Sequence, residues 1–420
     1  MDFLHTEIGA AKDNASDPIH NWYKFTAGFS FKFVEGIIDG AGLRKNSTLF
    51  DPFAGCGTTL VSAQKISMNA VGNEAHAFMY DVIRAKLNWN IDQRKYKEII
   101  HQVEKYIDER WRDIELSETV HPLLHTLYSH ENLKTICLIR DFLEDMKAWK
   151  YQLFFKLSLS QTLHKVCIHP IAVPYIVRRK ILIRTRTAWE VFKETSYKML
   201  ADVKPYKHCK KTSRIYLQDS RCENSRIPSN SCDISITSPP YLNNLDYGEV
   251  SKVHTHFFGM TNDWGDITKN VRKKLVTGST THYKISDFNI DVFQNNELCL
   301  ANPKIFNMLF DRAREIKTVS QQRKGKKSFD ILMFLYFNDM YSVLKEIRRV
   351  VSTKGKVYMI LGDSAPYGVY VPTTTLMGNI AMSVGFEYFK IHNIRLRGSK
   401  WKSLKYRHNR LLAENVLEIG

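Results

Sequence analysis

The chain has 420 residues, 44% hydrophobic and 25% charged, which is apolar material for one large folded domain or two moderate ones and excludes a disordered chain. No run of about 18 uncharged apolar residues occurs and the opening MDFLHTEIGAAKDNASD has no apolar signal core, so neither a membrane span nor a secretory leader is expected, and a cytoplasmic protein is. The formal net charge of +18 points to a polyanionic partner.

In chain order, Ser47 to Asp51 reads as a short strand, followed by PFAGCGTT and a helix through Leu60 to Lys65. Residues 67–72 give a second strand that ends at Asn73 and Glu74, and Ala75 to Trp89 reads as helix. This is the opening of a nucleotide-type βαβ unit. In Asp51 to Thr59, Gly55 and Gly57 allow the backbone close to a ligand, and the helix behind them offers amide donors. The loop is neither GxGxxG nor a phosphate loop ending in GK[ST], so ATP and nicotinamide cofactors are poorly supported. Glu74, at the end of the second strand, is placed to accept two ribose hydroxyl protons.

Residues 92–160 then show helical apolar periodicity among charges, and 161–214 are basic and mixed. Between Ile176 and Arg214 stand twelve Lys or Arg against three acids. The seven cysteines include no CxxC pair and read as reduced thiols, and Cys209 with His208 and His169 lacks a regular zinc-ligand spacing. The sheet resumes at Ser213 to Leu217 and Asp233 to Thr237, so 95–212 reads as an insertion in a parallel-sheet domain.

The strand at Ile234 to Thr237 runs into Ser238-Pro239-Pro240-Tyr241. Two prolines cannot continue a sheet ladder, so the chain turns out where an open α/β sheet binds its ligand. A second, polar insertion is expected at about 262–325. Helix follows at Ser328 to Val350, then strands at Lys356 to Leu361, Phe386 to Ile394 and Asn415 to Ile419. His254 and His256, two apart on an expected helix, do not share a face, and no metal site is expected. From Arg395 to Arg410 there are seven Lys or Arg and no acid.

DPFAGCGTT with VGNE resembles the S-adenosylmethionine-binding half of the amino-methyltransferases, and SPPY resembles their catalytic motif. ITSPPYLNNLDYGEVSKVHTHFFG is similar to the form found in DNA (cytosine-N4)-methyltransferases of bacterial restriction-modification systems. HNWYKFTAGFS, LQDS, VYMILGDS and NRLLAENVLEIG resemble further segments of that domain, so the likeness covers about 1–90 and 213–420. It implies a Rossmann-like methyltransferase sheet of about seven strands, with a large helical and basic insertion and a smaller one. The implied parts are a cofactor-binding part at 1–94, an inserted DNA-recognition region at 95–212, with the smaller insertion at about 262–325 as the alternative reader of the bases, and a catalytic part at 213–420. The implied cofactor, S-adenosylmethionine, would meet Phe29, Ser30, Asp51, Phe53, Gly55, Gly57, Thr58 and Glu74, with Asp219 near the adenine amine.

The exocyclic amine of cytosine is conjugated with its ring, so catalysis must hold it where its lone pair can meet a sulfonium methyl. Ser238 Oγ and the Pro239 carbonyl offer two acceptors for the amino protons, Pro239 and Pro240 fix the turn, and Tyr241 can stack on an extruded base. The chain has no Pro-Cys pair, the feature wanted for attack at cytosine C6. Asp246 and Tyr247 are expected to order the base pocket or to contact DNA rather than to act as a general base. Arg178, Arg179, Lys180, Arg184 and Arg186, with Arg397, Lys400 and Lys402, are the candidate contacts to double-stranded DNA. The expected protein is a monomer that flips one cytosine and has a separate restriction endonuclease as its partner. Adenine N6 is the nearest alternative. An RNA or protein amino-methyltransferase, or an inactive nucleic-acid-binding protein with the same fold, stands further off.

Overall fold

The computed structural model describes residues 13–25, 27–43, 46–116, 120–172, 175–207, 209, 213–398 and 411–420. Its strands are β1 Thr48–Asp51, β2 Asn69–Glu74, β3 Ile171–Ala172, β4 Tyr175–Ile176, β5 Arg214–Leu217, β6 Cys232–Thr237, β7 Val351–Gly362, β8 Phe389–Arg397 and β9 Leu412–Ile419. β3 and β4 form a separate hairpin. The other seven make one sheet in the order β5-β2-β1-β6-β7-β9-β8. Every pair from β5 to β7 is parallel, and β9 runs antiparallel to both β7 and β8. This is a Rossmann-like methyltransferase sheet with a larger and a smaller insertion.

β1 and β7 are apolar on both faces because both are covered, whereas β6 alternates Ile234 and Ile236 with the buried Ser235 and Thr237. Alternation sends Leu49, Ile234, Ile236, Tyr358 and Ile360 into one layer with Phe33, Val34 and Ile37 of α1 (Phe31–Gly40). Phe50, Val357, Met359 and Leu361 enter the opposite layer. There they meet α14 (Phe329–Val350) and α15 (Thr373–Ser383) through residues such as Phe337, Leu344, Met377 and Ile380. Two helices follow the first strands: α2 (Thr58–Lys65) and α3 (Ala77–Leu87).

The larger insertion carries α4 (Gln93–Arg110), α5 (Pro122–His125), α6 (His130–Glu144), α7 (Trp149–Val166), the β3–β4 hairpin and α8 (Ala188–Val203). The stretch read as mixed therefore contains a full helix. Thr187 and Glu190 open it with a reciprocal capping box that satisfies its first amides. The core of this region is continuous with that of the sheet's first units. Tyr96, Phe154, Phe155 and Phe192 share one buried cluster with Trp22, Phe78 and Val82 from the first 94 residues.

α7 runs antiparallel to α3. Asn88 at the end of α3 donates to the Lys150 carbonyl (3.1 Å), and Arg84 lies over the Trp149 ring (4.9 Å). At the other end, Phe78 faces the same small hollow as Leu157 and Ser160. The carboxyl end of α7 therefore reaches the edge of the sheet where α3 begins.

After the proline turn comes α9 (Tyr247–Phe257), and the smaller insertion then carries α10 (Trp264–Asn270), α11 (Ile290–Gln294), α12 (Glu297–Ala301) and α13 (Pro303–Gln322). Its polar composition hides an amphipathic helix. Ile305, Leu309, Ala313 and Ile316 of α13 are buried in the core shared with α14. Several expected strand limits also move: β2 starts at Asn69, β8 runs on to Arg397, and β9 starts at Leu412. Among the described residues no helix is long and apolar enough to cross a membrane.

Candidate active site

Strand order reverses between β1 and β6, so the loops that leave their carboxyl ends bound a crevice. It is a cleft of about 590 Å³, lined from one side by Phe25, Phe29, Phe53, Gly55, Thr58, Glu74 and His76, and from the other by Ser238, Pro240, Tyr247 and Leu275. A smaller hollow of about 300 Å³ adjoins it, sharing Phe53, Glu74, Pro240 and Leu275 and adding Gln218, Asp219 and Lys274.

The glycine loop is shaped by two residues with positive φ. A Cβ on Gly55 (φ +55°) would stand 3.3 Å from the Phe25 ring, and one on Gly57 (φ +85°) would stand 3.3 Å from Ile83. Both positions combine left-handed backbone with close packing, which favours glycine. Gly57 caps α2 and lies behind the cleft wall. The Gly55 amide donates to Glu74 Oε2 (2.8 Å) and the His76 amide to Oε1 (2.8 Å), so the carboxylate is held by both oxygens. Burial pushes the Glu74 carboxyl up to about 7 against the pull of these amides. His76 is buried, its ring 2.7 Å from the Ser251 hydroxyl, and burial lowers its pKa to about 4, so the ring is neutral.

Asp51 is fully buried and joins the two loops instead of lining the cleft. Its Oδ1 accepts from the Phe53 amide (3.0 Å) and from the Thr237 hydroxyl (2.7 Å), one residue before Ser238. Burial raises its carboxyl to about 6. Ser30 also lies off the cleft. It caps α1, accepting from the Lys32 amide (3.2 Å) and donating to Asp13 (2.7 Å). Asp219 lines the side hollow, with its carboxylate paired to Arg221 at 2.6 Å.

At the proline turn, the Ser238 hydroxyl donates to the Ile360 carbonyl (3.3 Å), which leaves its oxygen free to accept from a ligand in the cleft. Pro239 is buried, and Pro240 lines both hollows. The Tyr241 hydroxyl donates to Glu414 (2.9 Å), and Arg397 lies 5.1 Å from its ring centroid while donating to the Asp363 carbonyl (3.0 Å). Arg397 thus belongs to the proline turn. Burial, then the Glu414 carboxylate, keeps the phenol well above its ordinary pKa.

Asp246 holds the smaller insertion against this turn. It caps α9 by accepting from the Gly248 and Glu249 amides, and it pairs with the fully buried Arg272 (Nη2 to Oδ2, 2.8 Å). The guanidinium lies 3.8 Å over Trp264, and Thr281 donates to the same carboxylate (2.8 Å). Burial pushes the Asp246 carboxyl up, but the Arg272 and Thr281 bonds outweigh it and leave it below the usual range. Between these anchors Leu275 enters the cleft, and the Gly278 carbonyl accepts from the Asn243 amide (3.1 Å).

Of the basic candidates, Arg178, Arg179 and Lys180 are exposed on the turn after β4. Arg184 donates to the Cys167 carbonyl (2.8 Å), and Arg186 pairs with Glu194. Lys400 and Lys402 lie outside the described residues. Sequence reasoning did not single out Phe25, Gly28, His76, Met79 or Leu275 as lining. Phe25 and Gly28 fall in HNWYKFTAGFS and His76 lies two residues past Glu74, whereas nothing around Leu275 signals its place. Among the described residues no group of three His, Cys, Asp or Glu side chains is placed to hold a metal ion.

No family model matches the chain. It is 23% identical over 424 aligned residues to the Type II methyltransferase M.BsoBI of Geobacillus stearothermophilus, covering 91% of this chain and 82% of that protein. It is 20% identical to the Type II methyltransferase M.AvaI of Nostoc sp. and of Anabaena variabilis, covering 92% of this chain and 83% of each of those proteins. Through nearly its whole length, the larger insertion included, the chain is homologous to bacterial Type II methyltransferases.

Proposed function

We propose that this protein transfers a methyl group from S-adenosylmethionine to the N4 amine of a cytosine flipped out of double-stranded DNA, at one short site, as the protective half of a bacterial restriction-modification pair. The observation that carries this reading is the convergence of two motifs on one cleft: the glycine loop with Glu74, and Ser238 with Pro240, from chain segments more than 160 residues apart. The relatives named as Type II methyltransferases support the same activity class.

The residues present fit the cofactor. Phe25, Phe29 and Phe53 give apolar walls, Gly55 leaves no Cβ in the way, and the Glu74 carboxylate keeps lone pairs for ribose hydroxyls. When bound, the cofactor supplies an electrophilic methyl on a sulfonium. The protein's part is to orient the amine. Ser238 Oγ, whose own proton is committed to Ile360, accepts one amino proton, and the Pro239 carbonyl accepts the other. Both contacts strengthen as positive charge grows on nitrogen, and so favour the transition state over the ground state. Tyr241, fixed by Glu414, offers a ring for base stacking. Serine in place of Asp or Asn at 238 favours cytosine N4 over adenine N6.

The test is to express the protein in cells whose DNA lacks the modification, map modified positions by single-molecule sequencing, and identify the nucleoside by mass spectrometry. N4-methylcytosine at one recurring sequence is the expected result. N6-methyladenine would reverse the base assignment, and transfer to RNA or protein alone would overturn the substrate. A separate endonuclease cutting the same unmodified site is the expected partner.

A further inference from the structure

Between β4 and α8 the chain crosses the surface as VRRKILIRTR, a turn at 177–180 followed by an irregular stretch, with five basic residues and no acid. The Leu182 amide donates to the Ile168 carbonyl (2.7 Å) and Arg184 Nε to the Cys167 carbonyl (2.8 Å), so residues 182 and 184 are anchored to the stem of the hairpin. On either side of the anchored Leu182, Ile181 and Ile183 point outward, 73% and 92% exposed. Ile183 is the most exposed large apolar side chain among the described residues. Beside them the turn at 177–180 presents Arg178, Arg179 and Lys180 to solvent. An isolated exposed isoleucine is ordinary on a protein surface. Two on one anchored face, bracketed by cations, form a designed tip.

Position decides what the tip can reach. Because α7 runs antiparallel to α3, its carboxyl end stands at the edge of the sheet where Glu74 and His76 enter the cleft. His164, in its last turn, packs on His254 of α9 (centroids 4.8 Å), and α9 begins at Tyr247 on the cleft wall. The segment after α7 thus leaves on the catalytic edge.

We propose that Ile181 and Ile183 are a DNA wedge: they insert into the base stack of the duplex and occupy the space left when the target base is extruded, while Arg178, Arg179 and Lys180 hold the flanking phosphates. This deepens, and rests on, the reading of the protein as a base-flipping DNA methyltransferase. Charge complementarity selects the partner, since a tip with cations and no acid in its span fits a polyanion. Isoleucine is among the apolar wedges that unstack base steps elsewhere. The inserted side chains offset the cost of opening a paired, stacked base.

The test compares the wild type with the double variant Ile181→Ser/Ile183→Ser in single-turnover methyl transfer to short duplexes carrying the mapped site. In one duplex the target base is paired, and in the other its partner is replaced by an abasic residue. The variant should lose about tenfold or more on the paired duplex and less than about threefold on the abasic one, where opening is already accomplished. Equal rates on the paired duplex, or the same loss on both duplexes, would overturn the wedge while leaving the methyltransferase reading intact. Absence of transfer by the wild type to either duplex would remove both. Sedimentation velocity adds a further check: a dimer that the double variant converts to monomer would assign the two isoleucines to a subunit interface and overturn the wedge.

Discussion

Glu74 is the residue whose chemistry can be read most directly. Its oxygens accept from two backbone amides, and burial still raises its carboxyl to about 7. A folded-state pKa above the ordinary value means that the ligand-free fold holds this proton more tightly than the unfolded chain does. Its stabilising contribution is full below pH 4.5 and is lost as pH rises through about 7. Binding ribose hydroxyls requires the ionised acceptor, so cofactor affinity should fall as pH drops below about 7, by up to about tenfold per unit. Titration calorimetry across this range should show the fall in the wild type and its absence in Glu74→Gln, with affinity in the variant at least about tenfold weaker at pH 8. Ser238 carries a separable prediction. Ser238→Ala should lower the single-turnover rate roughly 10- to 100-fold, about 1.4–2.7 kcal/mol in barrier, with cofactor affinity nearly unchanged. An equal loss in affinity would mean that the serine only shapes the cleft.

At the scale of elements, the smaller insertion works as a strap. The Asp246–Arg272 pair and Thr281 fix both ends of a segment that places Leu275 in the cleft and Gly278 against the Asn243 amide. Arg272 is wholly buried, so removing it leaves the Asp246 carboxylate without its counter-ion. Arg272→Ala should cost about 3–5 kcal/mol in urea unfolding, and Asp246→Asn/Arg272→Met should recover most of it because no uncompensated charge remains. The larger insertion is joined more intimately. Its helices complete the core around Trp22, Phe78 and Val82, and Trp22 Nε1 donates to Asp202 (2.8 Å) across the join. A sequence interruption here is a continuous part of the packed structure.

For the whole molecule, five histidines among the described residues, three of them buried and His164 and His282 partly so, set the response to acid. His76, His164 and His282 are each lowered to about 4 by burial, and His20 and His254 are shifted the same way for the same leading reason. The unfolded chain therefore binds protons that the fold cannot accept. Stability from these groups is complete above about pH 6.5 and declines as pH falls toward 4. Thermal melts should show Tm dropping through that window, with a smaller drop in His254→Phe, which keeps a ring against Phe78. Charge acts at longer range. Replacing Arg178, Arg179 and Lys180 by Gln should make the slope of log K against log salt for duplex DNA shallower by about 1–3. An unchanged slope in fluorescence anisotropy would place the phosphate contacts elsewhere.

The sequence by itself determined what depends on a few neighbouring residues. Gly55 and Gly57 mark a turn because only glycine takes positive φ there without strain, and Pro239 and Pro240 end β6 because proline cannot extend a ladder. The apolar run at β7 is legible because a strand covered on both faces carries little else, and β6 is legible from the alternation of Ile234 and Ile236 with polar residues. Only the tertiary structure decided which side chains share a space. Asp51 reads as part of the glycine loop, yet it bonds Thr237 at a separation of 186 residues and so ties that loop to the proline turn. Arg397 reads as one cation in a basic tail, yet it lies over Tyr241. Leu275 reads as nothing in particular, and the strap carries it into the cleft. α13 was hidden because its buried stripe is narrow and its composition polar. Backbone preferences act over a few residues and leave a mark in the local sequence, whereas burial and pairing depend on surfaces brought together from distant parts of the chain, and those are set only when the sheet and its two insertions pack.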